Sequence, residues 1–156
     1  MDIKDIIFNA IDNIAEGVVI TTSDLDEPGP QIIFVNKAME RLTGYAAEEM
    51  IGKTPRILQG ERTNREDRKY LKEQLLAKQA FGAVIENHRK DGSIYWVELT
   101  ISPIYDNEQL TYWMAIQREI TQEIELLNKA EVLAAVVNEL RDRFNEHENN
   151  FNQGMA

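Results

Sequence analysis

Few residues in this chain are suited to covalent or metal chemistry. It contains no cysteine, so disulfides, thiolate zinc sites and cysteine nucleophiles are impossible. Two histidines make metal binding a poor default. The 27 acidic side chains fall mostly on helix faces and in turns, where solvation explains them. There is no nucleophile–base pair and no glycine-rich phosphate loop, Gly82 and Gly92 being turn glycines. What is left is hydrogen bonding by amides. Strand alternation puts Asn87 on one face with Ala83 and Ile85, and Gln117 on one face with Ala115. An amide in apolar surroundings costs about 1–3 kcal/mol when it has no partner. Both therefore point where a small ligand, backbone or ordered water must satisfy them.

The elements that must position these amides follow from periodicity. Ile3, Ile6, Ile7, Ala10, Ile11 and Ile14 form one apolar stripe, which predicts an amphipathic helix over 3–14 that ends before Gly17. Strands are expected at 18–22 and 32–36, separated by the turn-rich 24–30. Two short helical pieces fill 37–51, broken at Thr43-Gly44-Tyr45. Thr63, with Glu66 three residues on, reads as the N-cap of a helix that runs to about Lys78. Three strands follow at 83–90, 93–104 and 109–120, with Asp91-Gly92 and Asp106-Asn107 as their turns. Segregated helices and strands predict an α+β fold built on a five-stranded antiparallel sheet with short helices on one face. From Thr121 the chain is helical, and Ala130, Leu133, Val137, Leu140 and Phe144 occupy heptad positions of a short coiled coil. Residues 146–156 lose the pattern and are expected to fray.

Alternation sorts the last two strands into two faces. Tyr95, Val97, Leu99 and Ile101 share one with Trp113, Ala115 and Gln117. Ile94, Trp96, Glu98 and Thr100 share the other with Tyr112, Met114 and Ile116, which is too apolar to meet water along its length. Helix 3–14 lying on that face, beside a second copy of the chain, is the expected cover.

The segments 34–53 (FVNKAMERLTGYAAEEMIGK) and 87–106 (NHRKDGSIYWVELTISPIYD) resemble the two halves of PAS domains, and the match spans about 17–121. The stretch GKTPRILQGERTN, 52–64, is similar to the flavin-binding segment of the LOV subgroup. The resemblance implies a cap helix at 1–16, a PAS/LOV-like sensor at 17–121 and a signalling helix at 122–156. It implies a non-covalent flavin, FMN or FAD. Arg56 and Lys72 fall on its phosphate-binding positions, Gln59, Asn87 and Gln117 on positions that hold the ring and its tail, and Gln117 on the one that relays its state. Three positions depart from the pattern: Pro55 stands where the photoreactive cysteine would be, Thr54 on the preceding asparagine and Val97 on the second ring-edge asparagine. Adduct chemistry is thus absent.

Other readings fall to particular residues. The helix that would carry a haem-ligating histidine has none, and alternation sends His88 to the face opposite Asn87, as a surface or hairpin side chain. His147-Glu148 is similar to a kinase phosphoacceptor pair, but Asn149-Asn150-Phe151 does not continue it, and a solvated helix end is expected. A net charge of −10 and a pI of about 4.7 argue against a nucleic-acid surface. No apolar run approaches membrane-spanning length. The expectation is a cytoplasmic, non-enzymatic sensory domain that dimerises through its sheet face and its N- and C-terminal helices and acts on a downstream effector. A ligand-free dimerisation module and a sensor of another small molecule are the alternatives.

Overall fold

The computed structural model describes residues 1–155, apart from the side chains of 147–152, so the His147-Glu148 pair lies outside the described residues. Eleven segments follow in order: α1 (Ile3–Asp12), β1 (Gly17–Thr22), β2 (Ile32–Val35), α2 (Lys37–Thr43), α3 (Ala47–Met50), a 3-10 turn (Pro55–Leu58), α4 (Arg65–Leu76), β3 (Phe81–His88), β4 (Ile94–Asp106), β5 (Gln109–Glu119) and α5 (Thr121–Gly154). They form two compact units, Met1–Ile120 and Thr121–Ala156. The sheet is antiparallel in the order β2-β1-β5-β4-β3, so the last strand in sequence is the central one. This is the α+β architecture expected from the strand and helix patterns.

Local chemistry sets the boundaries. Asn36 caps α2, its side chain accepting from the Met39 N–H, and Gly44 at φ 77° ends that helix in the left-handed conformation. The β3–β4 hairpin closes through Gly92 at φ 86°, with Asp91 Oδ1 accepting from both the Ser93 N–H and its hydroxyl. Asn107 and Glu108, both at positive φ, make the β4–β5 turn, one residue beyond the expected pair. The cap of α4 is also displaced. Asn64, not Thr63, accepts from the Glu66 N–H, while the buried Thr63 hydroxyl accepts from the Gly60 N–H. A hydroxyl already engaged upstream is not free to cap, and Asn64 is the next side chain with a suitable oxygen.

The core lies between the sheet and the short helices as two apolar clusters. Val19, Ile32, Val35, Met39, Met50 and Leu58 make one; Ile85, Tyr95, Val97 and Leu99 make the other. Each side chain so buried contributes ~1.5–3 kcal/mol. The Thr43 carbonyl accepts from the Lys90 N–H at 2.9 Å and the Leu42 carbonyl from Arg89, which pins the end of α2 to the β3–β4 hairpin.

Helix α1 departs from its expected place. None of its residues is buried, and Ile3, Ile6, Ile7 and Phe8 are all exposed. Phe34, paired with Ile20 on the outer sheet face, meets Phe8 edge-on at 5.6 Å. That contact is with an edge strand. The α1 backbone is held by Asn36. The Nδ2 of this fully buried side chain donates to the carbonyls of Ile11 and Glu16, each at 3.0 Å, and its Oδ1 accepts from the N–H groups of Val18 and Met39. Asn36→Ala should lower unfolding free energy by about 2–4 kcal/mol, the sum of a lost cap and a stranded buried donor. Asn36→Asp should not recover it, because the carboxylate keeps the two acceptor contacts but turns a buried, charged oxygen on the Ile11 and Glu16 carbonyls. Urea titration followed by circular dichroism would measure both.

Candidate functional site

Between the two core clusters the fold leaves a cavity of about 1200 Å³, somewhat above the usual range of roughly 300–1,000 Å³ for small-molecule sites. Its floor is the inner face of the sheet. Val19 and Thr21 of β1, Trp113, Ala115 and Gln117 of β5, Leu99 and Ile101 of β4, and Ile85 and Asn87 of β3 all line it. These residues meet because the registers Thr21↔Trp113, Val19↔Ala115 and Leu99↔Gln117 place same-face positions side by side. The opposite wall is the 3-10 turn and α4, and the loop from Leu25 to Pro30 closes the mouth.

Six of the seven positions singled out in the sequence converge here: Thr54, Arg56, Gln59, Lys72, Asn87 and Gln117 all line the cavity. Val97 does not. It pairs with Ile85 and Glu119, one step beyond the Leu99↔Gln117 pair, and sits fully buried among Ile85, Tyr95 and Leu99. An apolar side chain at that depth belongs to the core. Pro55 is the first residue of the 3-10 turn, where no backbone N–H is needed, so its ring costs the turn nothing. The turn then delivers Arg56 and Gln59, with the Gln59 N–H bonded to the Arg56 carbonyl at 2.9 Å.

Polar atoms inside the cavity are unevenly satisfied. Gln117 is 6% exposed and its Oε1 has no partner; Trp113 is 3% exposed and its Nε1–H has none either. Such groups cost about 1–3 kcal/mol each when left alone. The Gln117 side chain stands opposite Gly17, where a Cβ would come within 2.4 Å of Met39 Sδ and 3.6 Å of Gln117 Cβ. Glycine there makes room for Met39, the Gln117 contact being an ordinary one.

The mouth carries a basic excess in an acidic protein, five cations against the acids Asp26, Glu27 and Glu66. Arg65, Arg68, Lys69 and Lys72 line it along α4, and Arg56 lies nearby, 3.6 Å from Glu27 across the mouth. Of these, sequence reasoning reached only Arg56 and Lys72. The missed signal was spacing: 65, 68, 69 and 72 are i, i+3, i+4 and i+7, a single helix face. Trp113 was assigned to the correct face but not to the cavity.

His88, expected at the surface or in the hairpin, stands at the hairpin end of β3 but is not a free surface side chain. It is half-buried, and its ring packs so closely over the Gly60 backbone that a Cβ there would lie 2.6–2.8 Å from three ring atoms. As the last residue of an edge strand, its side chain folds round the sheet edge.

Residues 15–122 match the family model described as PAS domain. Over 119 residues the chain is 38% identical to the blue-light photoreceptor of Listeria monocytogenes, a match covering 76% of this chain and 46% of that protein. The chain thus spans less than half the length of that relative. Among solved structures, an RNA-binding Light-Oxygen-Voltage receptor superposes with TM-score 0.77 at 28% identity, over 88% of this chain and 38% of the other. The LOV domain of the Erythrobacter litoralis blue-light-activated histidine kinase superposes with TM-score 0.63 at 27% identity, over 70% of this chain and 99% of the other.

One group in the core cluster beside the site allows a test that needs no ligand. Burial pushes the Tyr95 phenol up to about 12 from its ordinary 10.0. The Asn87 amide favours the ionised form without reaching hydrogen-bonding geometry to the phenol oxygen, and the Arg89 guanidinium, 4.5 Å over the ring, also pulls it down; burial wins. The folded protein therefore keeps this proton to higher pH than the unfolded chain does. The resulting stability is whole below pH 10 and drains away as the pH rises from 10 toward 12, at ~1.4 kcal/mol per pH unit. Tyr95→Phe should remove that part of the alkaline slope, as read from urea midpoints at successive pH values.

Proposed function

The chain belongs to the PAS domain family, and on that premise we propose that it is a sensory domain that holds a flavin non-covalently and passes the state of the flavin to its C-terminal helix. The observation that carries this reading is the pairing, in one apolar-walled cavity, of buried amides with a mouth that carries a basic excess. The amides of Asn87 and Gln117 offer both donors and acceptors, which suits the edge of a flavin ring. The unpartnered Gln117 Oε1 gives a ligand N–H a place to donate. Gln59 and Thr54 flank the tail, and Arg56 and Lys72 neutralise its phosphate. FMN is the form proposed. When bound, flavin supplies visible-light absorption and electron-transfer chemistry.

The chain's own part is to bind, orient and relay. Ile85, Leu99, Ile101 and Ala115 give the ring an apolar bed and exclude water. Gln117 is the relay, because its amide must present whichever end, donor or acceptor, the ring edge demands. It stands three residues before Ile120, whose N–H is anchored on the Trp96 carbonyl at 2.8 Å, and α5 begins at Thr121. A local reversal of hydrogen bonding thus has a short covalent path to a helix that carries the output.

A homodimer is part of the proposal. The exposed Ile3, Ile6, Ile7 and Phe8 of α1 and the exposed Leu133, Val137, Leu140 and Phe144 of α5 supply apolar area for a second copy. The output is proposed to go to an effector, such as the kinase module named for one structural neighbour. With a net charge of −10, nucleic acid is not the proposed partner. Among the described residues no helix is long and apolar enough to cross a membrane.

The test is the visible spectrum of the purified protein, native and unfolded. A structured blue absorption band, with pigment of FMN mass released on unfolding, supports the reading. A protein that stays colourless after incubation with FMN and FAD would overturn it in favour of a ligand-free dimerisation module. In a coloured protein, Gln117→Leu should retain the pigment and abolish any light- or redox-dependent change in α5, followed by spin labels on that helix. An unchanged response in this variant would remove Gln117 as the relay.

A further inference from the structure

The flavin reading leaves open what this chain offers a photoexcited ring in place of a thiol, since it has no cysteine and Pro55 stands at that position. Among the side chains that line the cavity, Trp113 is the one aromatic. It is 3% exposed and shares the inner face of β5 with Gln117, with only the Ala115 methyl between them. At the rise of a strand the two Cα atoms stand about 13 Å apart. A planar ligand held by its edge at Gln117 would lie over Ala115, on the side of the indole.

The competing aromatic is Tyr95. It is fully buried in the core cluster and does not line the cavity. The Arg89 guanidinium sits 4.5 Å over its ring, which disfavours positive charge there. Oxidation of a phenol also sheds its proton, and this one is held more tightly than usual, with no hydrogen-bond acceptor on the oxygen. Trp113 has neither handicap: among the described residues no cation lies over its ring, and an indole can lose an electron while keeping its proton.

We propose that Trp113 is the electron donor of the cavity, giving one electron to a bound flavin under blue light. The proposal rests on the flavin reading above. The indole is oxidised by one electron to its radical cation and the ring is reduced by one electron. No bond forms or breaks, and the proton stays on Nε1, which has no acceptor in the protein. The pair then collapses by return of the electron, unless an external thiol or tertiary amine reduces the indole first. The expected consequences are weak flavin emission and a photoreduction that depends on added reductant.

The experiment uses the full chain loaded with FMN and is read on the flavin-bound fraction. Trp113→Phe should lengthen the flavin emission lifetime several-fold and slow photoreduction with added thiol, while Tyr95→Phe should match the wild type in both. Transient absorption of the wild type should show an indole radical cation rather than a phenoxyl radical, and this decides the matter even if Trp113→Phe fails to fold. Equal lifetimes in wild type and Trp113→Phe, or a phenoxyl signature, would overturn the proposal and leave flavin binding intact. Failure of the wild type to take up FMN would overturn both.

Discussion

One buried amide ties the N-terminal half of the sensor together. Asn36 follows β2, caps α2, accepts from the Val18 N–H on β1, and donates to carbonyls at the end of α1 and just before β1. Its backbone N–H donates to the Val18 carbonyl as well, at 3.1 Å. The side chain is fully buried, so each contact forms where water cannot replace it. The amide supplies two N–H donors and an acceptor oxygen for four contacts, whereas a carboxylate has no donor and a serine hydroxyl has only one, so neither Asp nor Ser reproduces the junction.

That junction matters because the space beside it is not filled. A cavity of about 1200 Å³ lies between two apolar clusters, and the walls must be kept apart by something other than contact across it. Backbone pairing does this at one side, where Ile32 exchanges hydrogen bonds with Gly52 and Lys53 just before the 3-10 turn. At the other side Lys90 and Arg89 bind the carbonyls that end α2. The cavity is framed by hydrogen bonds and lined by apolar side chains, a division of labour that leaves its few amides free to face a ligand.

The central position of β5 gives the fold its direction. It pairs with β1 on one side and β4 on the other, so Trp113, Ala115 and Gln117 run along the middle of the cavity floor. The same strand then leads within a few residues into α5. The cavity floor and α5 are thus joined in sequence by a strand paired on both sides rather than by a long loop.

The sequence alone determined what depends on near neighbours. Alternation in 93–104 and 109–120, the Asp91-Gly92 turn and the isoleucine stripe of α1 were legible because strand, turn and helix are properties of residues two to four positions apart. The tertiary structure decided what depends on register and depth. Val97 and Leu99 share a face and differ by one pleat, yet only Leu99 stands beside Gln117 and reaches the cavity. His88 obeyed its strand pattern until the sheet edge let its ring fold over Gly60. Asn64 became the cap of α4 once Thr63 was taken by the Gly60 N–H. In each case the deciding partner comes from another segment or from a competing hydrogen bond, and no periodicity within one segment encodes which partner arrives.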